Sequence, residues 1–181
     1  KGIERLAQDR TYDMIPILLE RICGICSVTH SVCFCNAVED LLEVQIPPRA
    51  AYIRTIVGEL ERLHSHLLWV GLAGHFIGYN TVFMWAWRYR EPCLDALEAV
   101  TGGRINYANH TIGGSRKDLT PDMVQFIRAK VEETEGPLDM LITTAVEDPI
   151  LALRLKGVGV LTEQDARMLC ATGPTARASN V

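Results

Sequence analysis

The stretch Arg21-Ile22-Cys23-Gly24-Ile25-Cys26-Ser27-Val28-Thr29-His30 decides how the rest of the chain is read. Two thiols in C-x-x-C spacing can grip one metal ion from a tight turn, because their sulfurs converge. Gly24 is expected to relax the backbone inside the grip. Arg21 puts a positive charge beside the thiols, which favours thiolate. His30 stands one helical turn beyond Cys26, where it can hydrogen-bond that sulfur from behind the metal ligands. A bare C-x-x-C has several uses. A structural zinc site takes four ligands, usually as two such pairs. A thioredoxin-like redox motif needs a βαβ context, which the pattern here lacks. An iron–sulfur set could draw on Cys33 and Cys35. Those two sit mid-helix and two apart, so they point to different faces. They read more simply as small, buried, apolar-like side chains, and so do the singletons Cys93 and Cys170.

Working outward, the pattern is helical. Upstream lies a mixed segment ending in the apolar run Ile15–Leu19, where Pro16 argues against a regular helix. Downstream, Ser27 is a fair N-cap for a helix over Val28–Val44, with Phe34, Val38 and Leu42 in step. Pro47 and Pro48 break it, and Pro48 can open the next helix. There Ile53, Ile56, Leu60, Leu63, Leu67 and Val70 alternate steps of three and four, one continuous stripe ending near Gly71–Gly78. A third helix fits Thr81 to about Val100, closed by Gly102 and Gly103. Arg104–Ser115 has β and turn character. Thr120-Pro121-Asp122 starts a helix to about Glu135; Pro137 starts another and Asp148-Pro149 a short one. Thr162 with Asp165 resembles a capping box for a last short helix near Met168. The chain is therefore expected to be mainly α with a few short strands, and one domain over residues 1–181.

Between Arg62 and Arg88 no Lys, Arg, Asp or Glu occurs. His64, Ser65, His66, His75, Asn80 and Thr81 interrupt that stretch, so it reads as a buried helix pair rather than a membrane span. The chain has 181 residues, 18 basic against 22 acidic and a net charge of −4, which argues against nucleic-acid binding. Hydrophobic residues make up 48%, ordinary for a packed globular chain. Of six cysteines, those at 23, 26, 33 and 35 cluster, which reads as reduced thiols in a cytoplasmic setting rather than a secreted disulfide scaffold. A start at Lys1 and a small, polar Gly173–Val181 end read as a fragment of a longer protein.

R-x-C-G-x-C-x-x-x-H followed by a helix resembles the first metal-binding motif of nickel–iron hydrogenase large subunits. Lys1-Gly2-Ile3-Glu4 resembles the family's upstream R-G-x-E segment, with Lys for Arg. Pro48-Arg49-Ala50, Glu59–Leu68, Arg88-Tyr89-Arg90-Glu91, Ile112–Asp118 and Gly173–Ser179 continue the likeness in order along nearly the whole chain. The same segments are shared with the quinone-site, 49-kDa-type subunit of respiratory complex I. That combination is similar to the energy-converting hydrogenases of the Ech, CO-induced and formate-hydrogenlyase kind. The complex I subunit has lost the metal-binding cysteines, whereas Cys23 and Cys26 are present here.

The resemblance implies the helical core of that fold and reversible oxidation of dihydrogen. It implies a nickel–iron centre whose iron carries CO and cyanide. Cys23 would be a terminal nickel ligand, Cys26 a bridging ligand, and His30 the group orienting the bridging thiolate. Glu4 falls where some members have a carboxylate for a magnesium site. Arg88, Arg90, Glu91 and Asp118 match the family and read as structural ion pairs. His66 matches too, and reads as a hydrogen-bonded core histidine. The implied partners are a small iron–sulfur subunit, membrane subunits and ferredoxin, at the inner face of the cell membrane. The family's second C-x-x-C does not occur in these residues. The rival reading is a complex I-like quinone-site subunit without nickel; a third is a generic zinc or iron–sulfur module using Cys33 and Cys35.

Overall fold

The computed structural model describes residues 2–181; Lys1, of the Lys1–Glu4 segment, lies outside the described residues. The chain divides into two compact units, one reaching to Leu141 and the other Ile142–Val181. In the first, short helices α1 (Ile3–Gln8) and α2 (Ile15–Leu19) lead through a 3-10 turn, Glu20–Ile22, to α3 (Ser27–Leu42). Then come α4 (Pro48–Phe76), α5 (Asn80–Thr101), the antiparallel pair β1 (His110–Thr111) and β2 (Gly114–Ser115), and α6 (Pro121–Glu147). The end of α6, α7 (Pro149–Leu155), α8 (Glu163–Met168) and α9 (Gly173–Ala178) make up the second unit. The expected mainly helical fold with a few short strands is what the chain adopts. No helix among the described residues is long and apolar enough to cross a membrane.

The expected stripe on α4 builds the core. Ile53, Leu60 and Leu67 are buried, while Ile56, Leu63 and Val70 pack at the edges. Ile53 and Leu60 join Val28, Leu94, Leu97, Val100 and Leu119 in one cluster; Leu67 joins Val82, Ala86 and Leu141 in another. Helices α4 and α5 pack most extensively. At their turn a Cβ on Gly74 would stand 3.0 Å from Val82 Cγ1, so the missing side chain lets the backbones close up.

Several local expectations are corrected. Pro16 does not bar a helix: it sits in the first turn of α2, where its missing N–H has no acceptor to satisfy. Pro137 lies inside one continuous α6 rather than starting a new helix. Ser27 is the first residue of α3, and Cys26 takes the N-cap position. Of the cysteines read as buried, Cys35 and Cys93 are, but Cys33 and Cys170 are exposed.

Inside this apolar frame α4 carries charge. Arg54 is buried, and its guanidinium grips Glu39 of α3 with two bonds, Nη1–Oε2 at 2.9 Å and Nη2–Oε1 at 2.6 Å. The same fork donates to the carbonyls of Thr111 and Gly114 at the hairpin. Nearly three turns farther along α4, His64 is fully buried; Nε2 lies 3.0 Å from Tyr107 Oη and Nδ1 3.1 Å from Arg90 Nη2. His66, expected in the core, is exposed, because the buried face passes through His64. Glu91 pairs with Arg104, and Asp118 with Arg49 at 2.6 Å, structural ion pairs as expected; Arg88 is exposed.

Removing one partner of a buried ion pair strands the other. Arg54→Met is expected to lower stability by about 3–5 kcal/mol, read from denaturant midpoints, and adding Glu39→Leu to restore part of it. Burial, reinforced by Arg90, lowers the His64 pKa from 6.5 to about 4. Its contribution is then complete above the unfolded value of 6.5 and lost as pH falls toward 4. Denaturation of the parent and His64→Gln across that window should show the parent's advantage shrinking as pH falls.

Candidate metal centre

The site grows from the junction of the 3-10 turn and α3. Cys23 is extended (φ −146°, ψ 132°), which swings the chain out of the turn, and Cys26 leads it into the helix. Gly24 needs no left-handed backbone here, and a Cβ would meet only Ile105 at 3.8 Å. The turn is held from behind. Ser27 Oγ lies 2.8 Å from the Cys23 carbonyl and 3.0 Å from Asn106 Oδ1. Glu20, fully buried, accepts the Ala108 N–H with both oxygens at 2.9 Å. Asn106 and Ala108 both hold positive φ, 61° and 49°, a conformation that costs energy and persists because these bonds enforce it.

This brings Cys23, Cys26 and His30 together: their sulfurs and an imidazole nitrogen all lie within 4.8 Å of one another. His30 Nε2 is 3.5 Å from Cys26 Sγ, the helical-turn contact its spacing implies. The backbone N–H of Ile25 reaches Cys23 Sγ at 3.4 Å. Hydrogen bonding from Cys26 and from that N–H lowers the Cys23 pKa, whereas burial, then the neighbouring Cys23, push the Cys26 thiol up to about 11. Arg21 turns elsewhere, donating to the Ile17 carbonyl at 2.8 Å and lying 3.6 Å from Glu20. Glu4 is exposed on α1; it shares a small cleft with Arg21 and is not brought to the sulfurs. Cys33 and Cys35 also stay outside the cluster, on opposite sides of α3.

Beside Cys26 a cleft of about 660 Å³ runs between α3 and α4, walled by Thr29, Cys33, Arg54, Glu61 and Arg62. Glu61 escaped the sequence reading. It is 3% exposed, and its Oε1 accepts the Val28 N–H at 2.8 Å. Burial raises its pKa to about 7, opposed by the backbone N–H groups of Val28 and Thr29. The signal was present: Arg54, Glu61 and His64 recur at helical spacing along the buried side of α4.

The donor set suits a soft or borderline metal. Two sulfurs on one turn, with an imidazole placed to orient one of them, are ligands for nickel, iron or zinc rather than magnesium or calcium. They are half of what a four-thiolate site takes.

Residues 1–71 match the model of nickel-dependent hydrogenase, and residues 77–181 that of the respiratory-chain NADH dehydrogenase 49 Kd subunit. The chain is 41% identical over 181 residues to the membrane-bound hydrogenase subunit alpha of Pyrococcus furiosus, covering all of this chain and 42% of that protein. It is 38% identical to a subunit of the NADH-quinone oxidoreductase of Thermodesulfovibrio yellowstonii, covering all of this chain and 45% of that one. A chain in the solved structure of the membrane-bound sulfane sulfur reductase, an archaeal respiratory membrane complex, superposes with a TM-score of 0.89 at 31% identity, over 96% of this chain and 47% of its own. The chain thus spans under half the length of each of these relatives. With more than half of its residues matched by the 49 Kd model, the chain belongs to the family of the respiratory-chain NADH dehydrogenase 49 Kd subunit, and its cysteine turn lies in the part that matches nickel-dependent hydrogenase.

Proposed function

We propose that the chain is part of the catalytic large subunit of an energy-converting nickel–iron hydrogenase, in which Cys23 and Cys26 supply two thiolates to the nickel–iron centre. The observation that carries this is the convergence of Cys23, Cys26 and His30 within 4.8 Å on one turn. Cys23 would serve as the terminal nickel ligand and Cys26 as the bridging one, and His30 would orient the Cys26 sulfur through its Nε2 contact. When bound, the nickel–iron centre, its iron carrying CO and cyanide, supplies the polarisation of dihydrogen and the electron acceptance that side chains cannot. What these residues do is hold geometry. The turn fixes the sulfurs, and Ser27 with Asn106 keeps the backbone behind them from relaxing.

In the whole protein the reaction is reversible oxidation of dihydrogen to protons and electrons. Electrons pass to iron–sulfur clusters of a small partner subunit and then to ferredoxin. Both compact units belong to one large-subunit domain, seated with membrane subunits at the cytoplasmic face of the membrane. Large apolar side chains at the surface, Tyr52, Trp69 and Phe76 among them, suit a chain that works covered by neighbours. A second reading, a quinone-site subunit that holds no nickel, is favoured by the 49 Kd match over residues 77–181 and by the likeness to an NADH-quinone oxidoreductase subunit.

Metal analysis of the full-length protein separates the readings. Stoichiometric nickel, lost to background in Cys23→Ser and Cys26→Ser and kept in Cys33→Ser and Cys35→Ser, is the expected result. A nickel-free full-length protein moves the assignment to the quinone-site role. Loss of metal on changing Cys33 or Cys35 moves it to a zinc or iron–sulfur module. Residues 1–181 expressed alone are expected to show no nickel-dependent hydrogen uptake, because two thiolates leave the metal open and the sulfurs oxidisable.

A further inference from the structure

We propose that Glu61 is a positioning residue of the cysteine turn: its buried carboxyl closes the N-terminus of α3 from the neighbouring helix and so sets the direction in which Cys23 and Cys26 present their sulfurs. The proposal rests on reading that pair as a metal grip. A helix start leaves backbone N–H groups with no partner inside the helix. An N-cap side chain normally takes one of them. Here the N-cap is Cys26, and its side chain makes no such bond. Ser27, the next candidate, has its hydroxyl turned back toward the Cys23 carbonyl and Asn106.

The cap comes instead from α4, 33 residues away in sequence, where Glu61 Oε1 accepts the Val28 N–H at 2.8 Å. The N–H groups of Thr29 and Ser27 act on the same carboxyl. Backbone meets this carboxyl rather than a cation, which is unusual for an acid so deeply buried. Negative charge at a helix N-terminus is favoured. The bond therefore ties the first turn of α3, and Cys26 immediately before it, to the most heavily packed helix of the unit. Glu61 and Cys26 also wall the same cleft, so the anchor sits beside the sulfur it positions.

The test uses the full-length protein with Glu61→Gln, which keeps an acceptor oxygen, and Glu61→Met, of similar length with none. Nickel retention against a chelator and hydrogen exchange at the Val28 amide are measured in each, at matched melting temperature. Glu61→Gln is expected to keep Val28 protected and nickel affinity within a few-fold of the parent. Glu61→Met is expected to expose Val28 and weaken nickel on the order of 10–100-fold, as loss of a group supporting a metal ligand does. Glu61→Met that holds nickel like the parent, or Glu61→Gln that loses it as fully as Glu61→Met, overturns the proposal. Should Glu61→Met fail to fold, fast exchange of Val28 in the parent overturns it and slow exchange supports it. A parent without nickel overturns the hydrogenase reading instead. Glu61 is then judged by Val28 exchange and by Cys26 alkylation, expected to be faster in Glu61→Met than in Glu61→Gln.

Discussion

A charged side chain taken out of water must be met by partners, and helix α4 uses that demand to hold α3 at both ends. Arg54, near its start, grips Glu39 in the last turns of α3. Glu61, two turns later, takes the Val28 N–H in the first turn. The two contacts run in opposite order along the two helices, so they fix an antiparallel pair in register. Apolar packing alone would tolerate a slide of a few ångströms, since it is non-directional. Two buried polar contacts do not, because each shifted register strands a charge.

The same polar face reaches beyond α3. Arg54 also donates to Thr111 and Gly114 at the β-hairpin, and His64 meets Tyr107 and Arg90. Ser27 lies against Asn106, and Glu20 against Ala108. These ties all cross between the part of the chain matched by the hydrogenase model and the part matched by the 49 Kd model. The division between those matches falls at the α4–α5 turn, yet the contacts of Ser27 and Glu20 that hold the cysteine turn from behind bridge it. Within the unit that reaches to Leu141 the two matched parts therefore fold together. The left-handed residues of the 104–109 loop belong to the support of the cysteines as much as α3 does.

Much of this was legible in the sequence for physical reasons. Period-3.6 apolar spacing revealed α4 because its stripe faces a core; Pro48 and Gly102 marked boundaries because their backbone chemistry suits a helix start and a left-handed exit. The C-x-x-C and His30 were legible because chemistry and spacing coincide locally. What failed was whatever depends on a partner distant in sequence. Ser27 looks like an N-cap until Asn106 offers its hydroxyl another contact. His66 looks like the core histidine until the buried face is known to run through Arg54, Glu61 and His64. Pro137 looks like a break, although a long helix can carry one missing donor. Glu61 shares the helical spacing of Arg54 and His64, but what it does depends on a backbone group of another helix, which spacing along α4 does not reveal.

The direction from which the anchors approach explains how a firmly held turn can still be open to a metal. Ser27, Asn106 and the Val28 N–H all engage the chain behind or after the sulfurs, through backbone groups and a hydroxyl. None of them occupies a sulfur. The two thiols are left half-exposed, with each other, the backbone N–H groups of Ile25 and Cys26, and His30 as polar contacts. Those contacts hold the sulfurs in place without burying them. A site designed only for stability would bury these thiols as it buries Cys35 and Cys93. Spending two strained left-handed residues and a buried carboxylate to hold half-exposed sulfurs still makes sense when something else is to be bound between them.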